Sequence, residues 1–266
     1  MSLLRFVRVL AANRYLLLQL TRRAFTARHA GTVLGWGWSL LTTLVQFGIL
    51  WFVFGRVLGV RVGADGTGNF ALYLLAGLVP FLALNDAVLR SAGLLRQNAA
   101  LVCRVRFPVE ILVVGDVLAS AAHQALAMAL VIGLCAVKGV LAPASVGWLL
   151  GAGVVVLLWM VGVGLVVASA GAFLPDLGEG LGLWMQVLFY GAPIVYPLSL
   201  VPGGWMRTLV EANPVTQVAA AARAALLGMA PPRMGALVAL AVAGVTLVWI
   251  GEAVVERYRL RFADVL

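Results

Sequence analysis

The chain has 266 residues, 63% of them hydrophobic and 11% charged, with a mean hydropathy of +1.06 and a formal net charge of +9. That is too little charge to clothe a soluble globule, and the basic residues flank apolar runs instead of forming the basic face that a nucleic-acid partner needs. The two cysteines, Cys103 in a basic loop and Cys135 in an apolar run, argue against a disulfide scaffold.

The basic residues fall into clusters. Arg5, Arg8, Arg14, Arg22, Arg23 and Arg28 precede the first long apolar run, Arg90, Arg96, Arg104 and Arg106 lie between the second and third, and Arg257, Arg259 and Arg261 follow the last. A run of about 20 apolar residues crosses a ~30 Å hydrocarbon core. Basic clusters beside such runs stay cytoplasmic, next to an anionic inner leaflet. The pattern predicts an all-α, multi-pass protein of the cytoplasmic (inner) membrane with both termini in the cytoplasm.

In chain order, residues 1–32 read as an amphipathic cytoplasmic segment, with Leu3, Leu4, Phe6, Val7 and Leu10 set against Arg5, Arg8 and Arg14. Arginine on one side and leucine on the other suit a helix lying in the membrane interface, in contact with lipid. The alternative is a basic flank that only sets topology. No cleavable signal peptide is expected, because Arg14 interrupts the first apolar stretch and no small-residue cleavage site follows. Residues 33–266 read as one domain of six transmembrane helices. The spans are placed near 33–54, 70–89, 111–137 and 146–173, then from about Leu181, and last at 235–255. The loops around Arg61 and Lys138 then lie outside, and the loop 174–179 inside although it holds no Lys or Arg. The spacings Gly31–Gly35, Gly151–Gly153 and Gly162–Gly164 predict close helix packing.

The stretch 193–232 is apolar but interrupted. Pro193 and Pro197 should end or kink the fifth span, and Pro202-Gly203-Gly204 is a turn. Asn213-Pro214 reads as an N-cap followed by proline at the first helical position, and Gly228 closes the helix so opened. Two short helices, roughly 203–212 and 214–227, are predicted to form a re-entrant region within about 198–230. Backbone of this kind at membrane depth needs protein or water around it, which indicates a pore lining; the alternative is a surface hairpin.

Catalytic signatures are missing. Lys138 has no glycine cradle before it, and no GxxxxGK[ST] loop, HExxH or CxxC occurs. His29 and His123 are isolated, so no metal site is expected. Asp86 and Arg90 are spaced to pair along one helix face. Asp116 lies deeper in the third span, as a candidate proton-relay carboxylate or a paired, hydrated one.

The run Arg22-Arg-Ala-Phe-Thr-Ala-Arg28-His-Ala-Gly-Thr-Val-Leu-Gly-Trp36-Gly-Trp38 resembles the approach to the first span in type-2 ABC transporter permeases of the polysaccharide-export class. The resemblance continues through Tyr73-Leu-Leu-Ala-Gly-Leu-Val-Pro80-Phe81, the loop 98–108, Asn213-Pro214 and the tail 260–266. Departures are His29 where tyrosine is common, Thr43 for a frequent proline, and Pro175 where arginine is usual.

This resemblance implies a homodimeric permease that moves a lipid-linked O-antigen, capsule or teichoic-acid chain through a channel between its copies. The chain would be no enzyme and hold no cofactor. ATP and magnesium would belong to a separate ATP-binding cassette subunit, present in two copies. The loop after the second span would form a coupling helix for that subunit; the alternative is a basic cytoplasmic loop with no partner. Asn98 would cap it, Leu101, Val102 and Val105 would form its apolar side, Arg104 and Arg106 would meet an acidic rim, and Phe107-Pro108 would end it. Arg22, Arg23 and Arg28 would sit at the membrane interface. Aromatic rings stack on sugar faces, which makes Trp36, Trp38, Trp51, Tyr73, Tyr190 and Tyr196 candidate channel contacts; an interfacial belt explains the tryptophans equally well. Two rivals are the same architecture exporting a drug, lipid or small amphiphile, and, further off, a proton-coupled carrier or membrane enzyme of glycan assembly.

Overall fold

The computed structural model describes residues 3–28, 35, 37–60, 68–104, 107–141 and 146–265. Over these the chain is mostly helical, and no strand occurs among them. The helices are α1 (Leu3–Ala12), α2 (Arg14–Ala27), α3 (Gly37–Leu50), α4 (Phe70–Gln97), α5 (Ala99–Arg104), α6 (Val109–Val137), α7 (Val146–Phe173), α8 (Leu177–Tyr190), α9 (Trp205–Ala212), α10 (Pro214–Leu227) and α11 (Met234–Val265). A π-helical segment, Trp51–Val57, continues α3, and a 3₁₀ turn, Leu198–Leu200, precedes α9.

Among the described residues 4 helices are long and apolar enough to cross a membrane: Phe70–Gln97, Val109–Val137, Gly147–Phe173 and Met234–Arg259. They coincide with the second, third, fourth and last predicted spans. The first predicted span corresponds to a shorter apolar helix, Leu41–Val57. The fifth corresponds to α8, whose 14 residues reach only about 21 Å at ~1.5 Å per residue. Two helices overrun their predictions: α4 continues past Leu89 to Gln97, and α11 past Val255 to Val265. The charged ends leave the apolar run without leaving the helix. In α11 the extension is held by Phe262, which is fully buried, and by Phe173, whose ring lies 5.4 Å from that of Tyr258 and 5.7 Å from that of Phe262.

The bundle is built around α4 and α7. Leu74, Ala76 and Leu78 of α4 are fully buried; α11 packs along α7, α10 lies against both α4 and α7, and α8 lies on α4. Glycine allows the closest crossings. A Cβ at Gly162 would stand 2.6 Å from Leu247 Cβ, and one at Gly251 2.6 Å from Leu165 Cβ, so side chains there would force α7 and α11 apart. Of the predicted glycine spacings, Gly162 and Gly164 lie at contacts, whereas Gly151 and Gly153 face open space; Gly31 lies outside the described residues.

The N-terminal segment is two helices, with Asn13 at the joint donating its side-chain amide to the Val9 carbonyl at 2.9 Å. Their apolar sides are shared between protein and surroundings. Phe6 is buried, with Leu3, Leu10, Leu17 and Leu20 packed against the same core, and Leu20 lies over Gly115 of α6. Leu4, Val7 and Leu18 remain exposed.

Candidate functional site

Three places gather the residues picked out above. The first is the loop between α4 and α6. The Asn98 side chain turns back to donate to the Leu94 carbonyl at 2.9 Å, finishing α4; its backbone carbonyl accepts from the Leu101 and Val102 amides at 2.9 and 3.1 Å and so opens α5. The expected side-chain cap is thus a backbone one. Leu101 is half-buried and Cys103 exposed, while Val102 and Phe107 pack against the core formed by α4, α6, α7 and α11. Pro108, expected to end α5, also starts α6: with φ −72° and ψ 100° its carbonyl accepts from Ile111 at 3.0 Å. Val105 and Arg106 lie outside the described residues.

The second place is ionic. Arg22 and Arg23 are exposed, but the Arg28 side chain is only 5% exposed. It donates to Asp86 Oδ2 at 2.7 Å, to the Asp116 carbonyl at 3.2 Å and to Ser120 Oγ. Burial pushes the Arg28 guanidinium below its usual range, against the pull of Asp86 and Asp116. Arg90 donates to both carboxylate oxygens of Asp116, at 3.3 and 3.2 Å. The pairing expected along α4 between Asp86 and Arg90 therefore runs across helices: Asp86 takes Arg28 and Arg90 takes Asp116. His123 is buried with its ring 5.6 Å from that of Phe25. Nearby, Arg259 donates to the buried Glu110, and Arg5 to Glu256 at 2.6 Å, tying α1 and α11 to the start of α6.

The third place is the break after α8. Pro193 and Pro197 lack donors and the chain leaves the helix at Gly191, so the carbonyls that follow need partners from elsewhere. Tyr73 of α4 is 3% exposed, and its hydroxyl reaches the carbonyls of Pro193 and Tyr196 at 3.3 and 3.2 Å. Arg223 of α10, 4% exposed, donates to the carbonyls of Tyr73, Pro193 and Ile194 at 3.1, 2.8 and 3.0 Å. Its guanidinium carbon lies 3.4 Å from the Tyr73 ring centroid, a cation–π contact. This approach needs Gly77, where a Cβ would meet Arg223 Nη2 at 2.6 Å. The Asn213 cap forms as expected: Oδ1 accepts from the Val215 amide at 3.0 Å, Nδ2 donates to the Leu188 carbonyl at 3.1 Å, and Gly228 closes α10 with φ 65°.

The two short helices differ in setting. α10 is buried along most of its length, whereas α9 buries nothing and exposes Trp205 and Leu209. Of the aromatic candidates, Tyr73 is internal to the protomer, Tyr196 is half-buried with its hydroxyl on the Tyr190 carbonyl at 3.0 Å, and Tyr190 and Trp38 are exposed. Trp51 is half-buried beneath Arg56, 5.3 Å from its centroid; Trp36 lies outside the described residues. Arg223 was not among the residues singled out above, and Gly77 figured only as part of the run Tyr73–Phe81. The available signal was a lone arginine inside Ala-Ala-Ala-Ala-Arg-Ala-Ala, since charge in an apolar helix marks a constrained place.

No group of three or more His, Cys, Asp or Glu among the described residues could hold a metal ion. Long apolar helices joined by partly buried ion pairs, with a proline-broken segment between α8 and α10, define a polytopic helical membrane protein. Residues 15–227 match the profile of the ABC-2 type transporter family, and the chain belongs to that family. It is 25% identical over 270 residues to the O-antigen export system permease protein RfbA of Myxococcus xanthus, covering 98% of this chain and 99% of the relative. It is 23% identical over 256 residues to a protein of the same description from Klebsiella pneumoniae, covering 94% and 95%.

Proposed function

We propose that this chain is the membrane subunit of an exporter that moves a lipid-linked polysaccharide of the O-antigen type across the cytoplasmic membrane. The observation that carries the reading is the end-to-end match to relatives described as O-antigen export permeases, over 98% of this chain. Two copies form the channel between them. The apolar faces of α8 (Leu183, Trp184, Val187) and α3 (Leu41, Leu44, Val45) are exposed in the single chain, and in this reading a second copy covers part of them. In this reading α3 with its π-helical extension and α8 with the segment beyond it supply the first and fifth of six crossings. Both termini are cytoplasmic, and α9 and α10 are re-entrant in the outer half. Among the described residues Tyr190, Tyr196, Trp38 and Trp51 are the aromatic candidates for channel contact in this reading, while Tyr73 holds the break beside Tyr196.

Two ATP-binding cassette subunits bind ATP and magnesium and engage α5. Because Val102 and Phe107, themselves half-buried, pack against the core of α4, α6, α7 and α11, a push on α5 reaches the base of α4 and α6. Co-expression with an ATP-binding cassette subunit from the same genome tests the assembly. A purified complex that hydrolyses ATP, beside inactive permease alone, is expected; permease that neither binds the ATPase nor alters its hydrolysis contradicts it.

A further inference from the structure

Between α3, α4, α6 and the end of α2 lies a cavity of about 270 Å³, close to the roughly 300 Å³ at which ligand pockets begin. Its walls include the amides of Gln46, Asn85 and Gln124, the Thr43 hydroxyl and the Arg28–Asp86 pair. A polar cavity in a bundle this apolar needs an occupant or a reason.

The charges around it cancel. Arg28 and Arg90 are matched by Asp86 and Asp116 through ion pairs of 2.7 to 3.7 Å, so the walls select neither an anion nor a cation. What they offer is hydrogen-bond donors and acceptors side by side. The amides of Gln46, Asn85 and Gln124 each carry a donor and an acceptor, which matches a sugar hydroxyl that accepts and donates at once. Gln124 also borders a neighbouring cavity of about 300 Å³ whose other walls, such as Ala83, Met128 and Leu157, are apolar. The polar surface therefore ends at that residue and has room for one ring.

We propose that this cavity is a sugar subsite, binding one neutral sugar residue of the exported glycan through Gln46, Asn85 and Gln124. The inference rests on the polysaccharide reading above. Asp86 and Arg90 stand near the loop end of α4, so in the proposed topology the subsite lies on the side from which the chain enters.

Photo-crosslinking tests it. p-Benzoylphenylalanine is placed at Gln46, at Asn85 and, as a control, at Val242, which is exposed on α11, in cells making the glycan. Irradiation should yield slower-migrating permease bands that stain for carbohydrate from positions 46 and 85. Position 242, and cells lacking the first glycosyltransferase, should yield none. Asn85→Leu and Gln46→Leu should each lower export about tenfold, the effect of losing one hydrogen bond of ordinary strength, with unchanged permease in the membrane, and Asn85→Gln should recover part of it. Adducts carrying only lipid or protein, or leucine variants that export at the native rate, would show a water-filled cavity and overturn the subsite. If deleting the permease leaves surface glycan intact, the polysaccharide reading fails; if export needs the permease and positions 46 and 85 capture nothing, only the subsite fails.

Discussion

Replacing Arg223 with methionine removes three hydrogen bonds from a charged donor, at 3.1, 2.8 and 3.0 Å, each contributing ~1.5–3 kcal/mol. It also removes a buried charge that no carboxylate among the described residues compensates, and that desolvation costs several kcal/mol. After the change the Pro193 carbonyl keeps the Tyr73 hydroxyl at 3.3 Å, and the Ile194 carbonyl is orphaned, a cost of ~1–3 kcal/mol. The balance is a loss of a few kcal/mol. Gly77→Ala destabilises by a different route. Its new Cβ stands 2.6 Å from Arg223 Nη2 and 3.2 Å from Cζ, an overpacking that costs ~1–3 kcal/mol. The two changes must couple, because the atoms that the new methyl group strikes disappear with Arg223. The remaining neighbour, Ala219 Cβ at 3.5 Å, is in ordinary contact. In a reversible SDS titration followed by tryptophan fluorescence, the double variant should be no less stable than Arg223→Met alone, giving a coupling of at least ~1 kcal/mol. Strict additivity would refute the clamp.

Leu101→Asp should uncouple export while leaving the permease dimer intact, because a charge in the ATPase contact costs several kcal/mol if unpaired. Val102→Asp should in addition lower the permease's own stability, since Val102 packs inward; Leu101→Asp with native export would remove α5 from the coupling route. In impermeant thiol labelling, a cysteine at Gly178 should react only from the cytoplasmic side, like one at Ala99 and unlike one at Gly63. Outside labelling of position 178 would break the six-crossing topology.

Much of the architecture was legible because membrane helices announce themselves by length and apolarity. The fourth span, 146–173, coincides with α7, and the third differs from α6 by two residues at its start. Local capping chemistry was equally readable: Asn213-Pro214 and Gly228 act through their own backbone and nearest neighbours. What escaped depends on partners distant in the chain. Arg28 looks like Arg22 and Arg23 in sequence, and only the packing of α2 along α6 carries it to Asp86 and Asp116. Asp86 and Arg90 have the right spacing for a pair on one face, but partners from α2 and α6 satisfy them across helices. α4 and α11 overran their predicted ends because hydropathy marks where lipid stops, whereas a helix stops where its hydrogen bonds and packing do. Tyr73 read as an aromatic platform, yet the carbonyls freed by Pro193 and Pro197 draw it inside.

Transport of the glycan itself can be measured. Inverted membrane vesicles containing this chain and its ATPase are loaded from outside with lipid-linked glycan, and the fraction protected from a membrane-impermeant glycosidase is measured with and without ATP. ATP-dependent protection is expected, and it should vanish when the permease is omitted or when the ATPase carries a dead nucleotide site. Protection independent of the permease, or ATP-driven uptake of a small amphiphile with none of the glycan, would contradict glycan export by this chain.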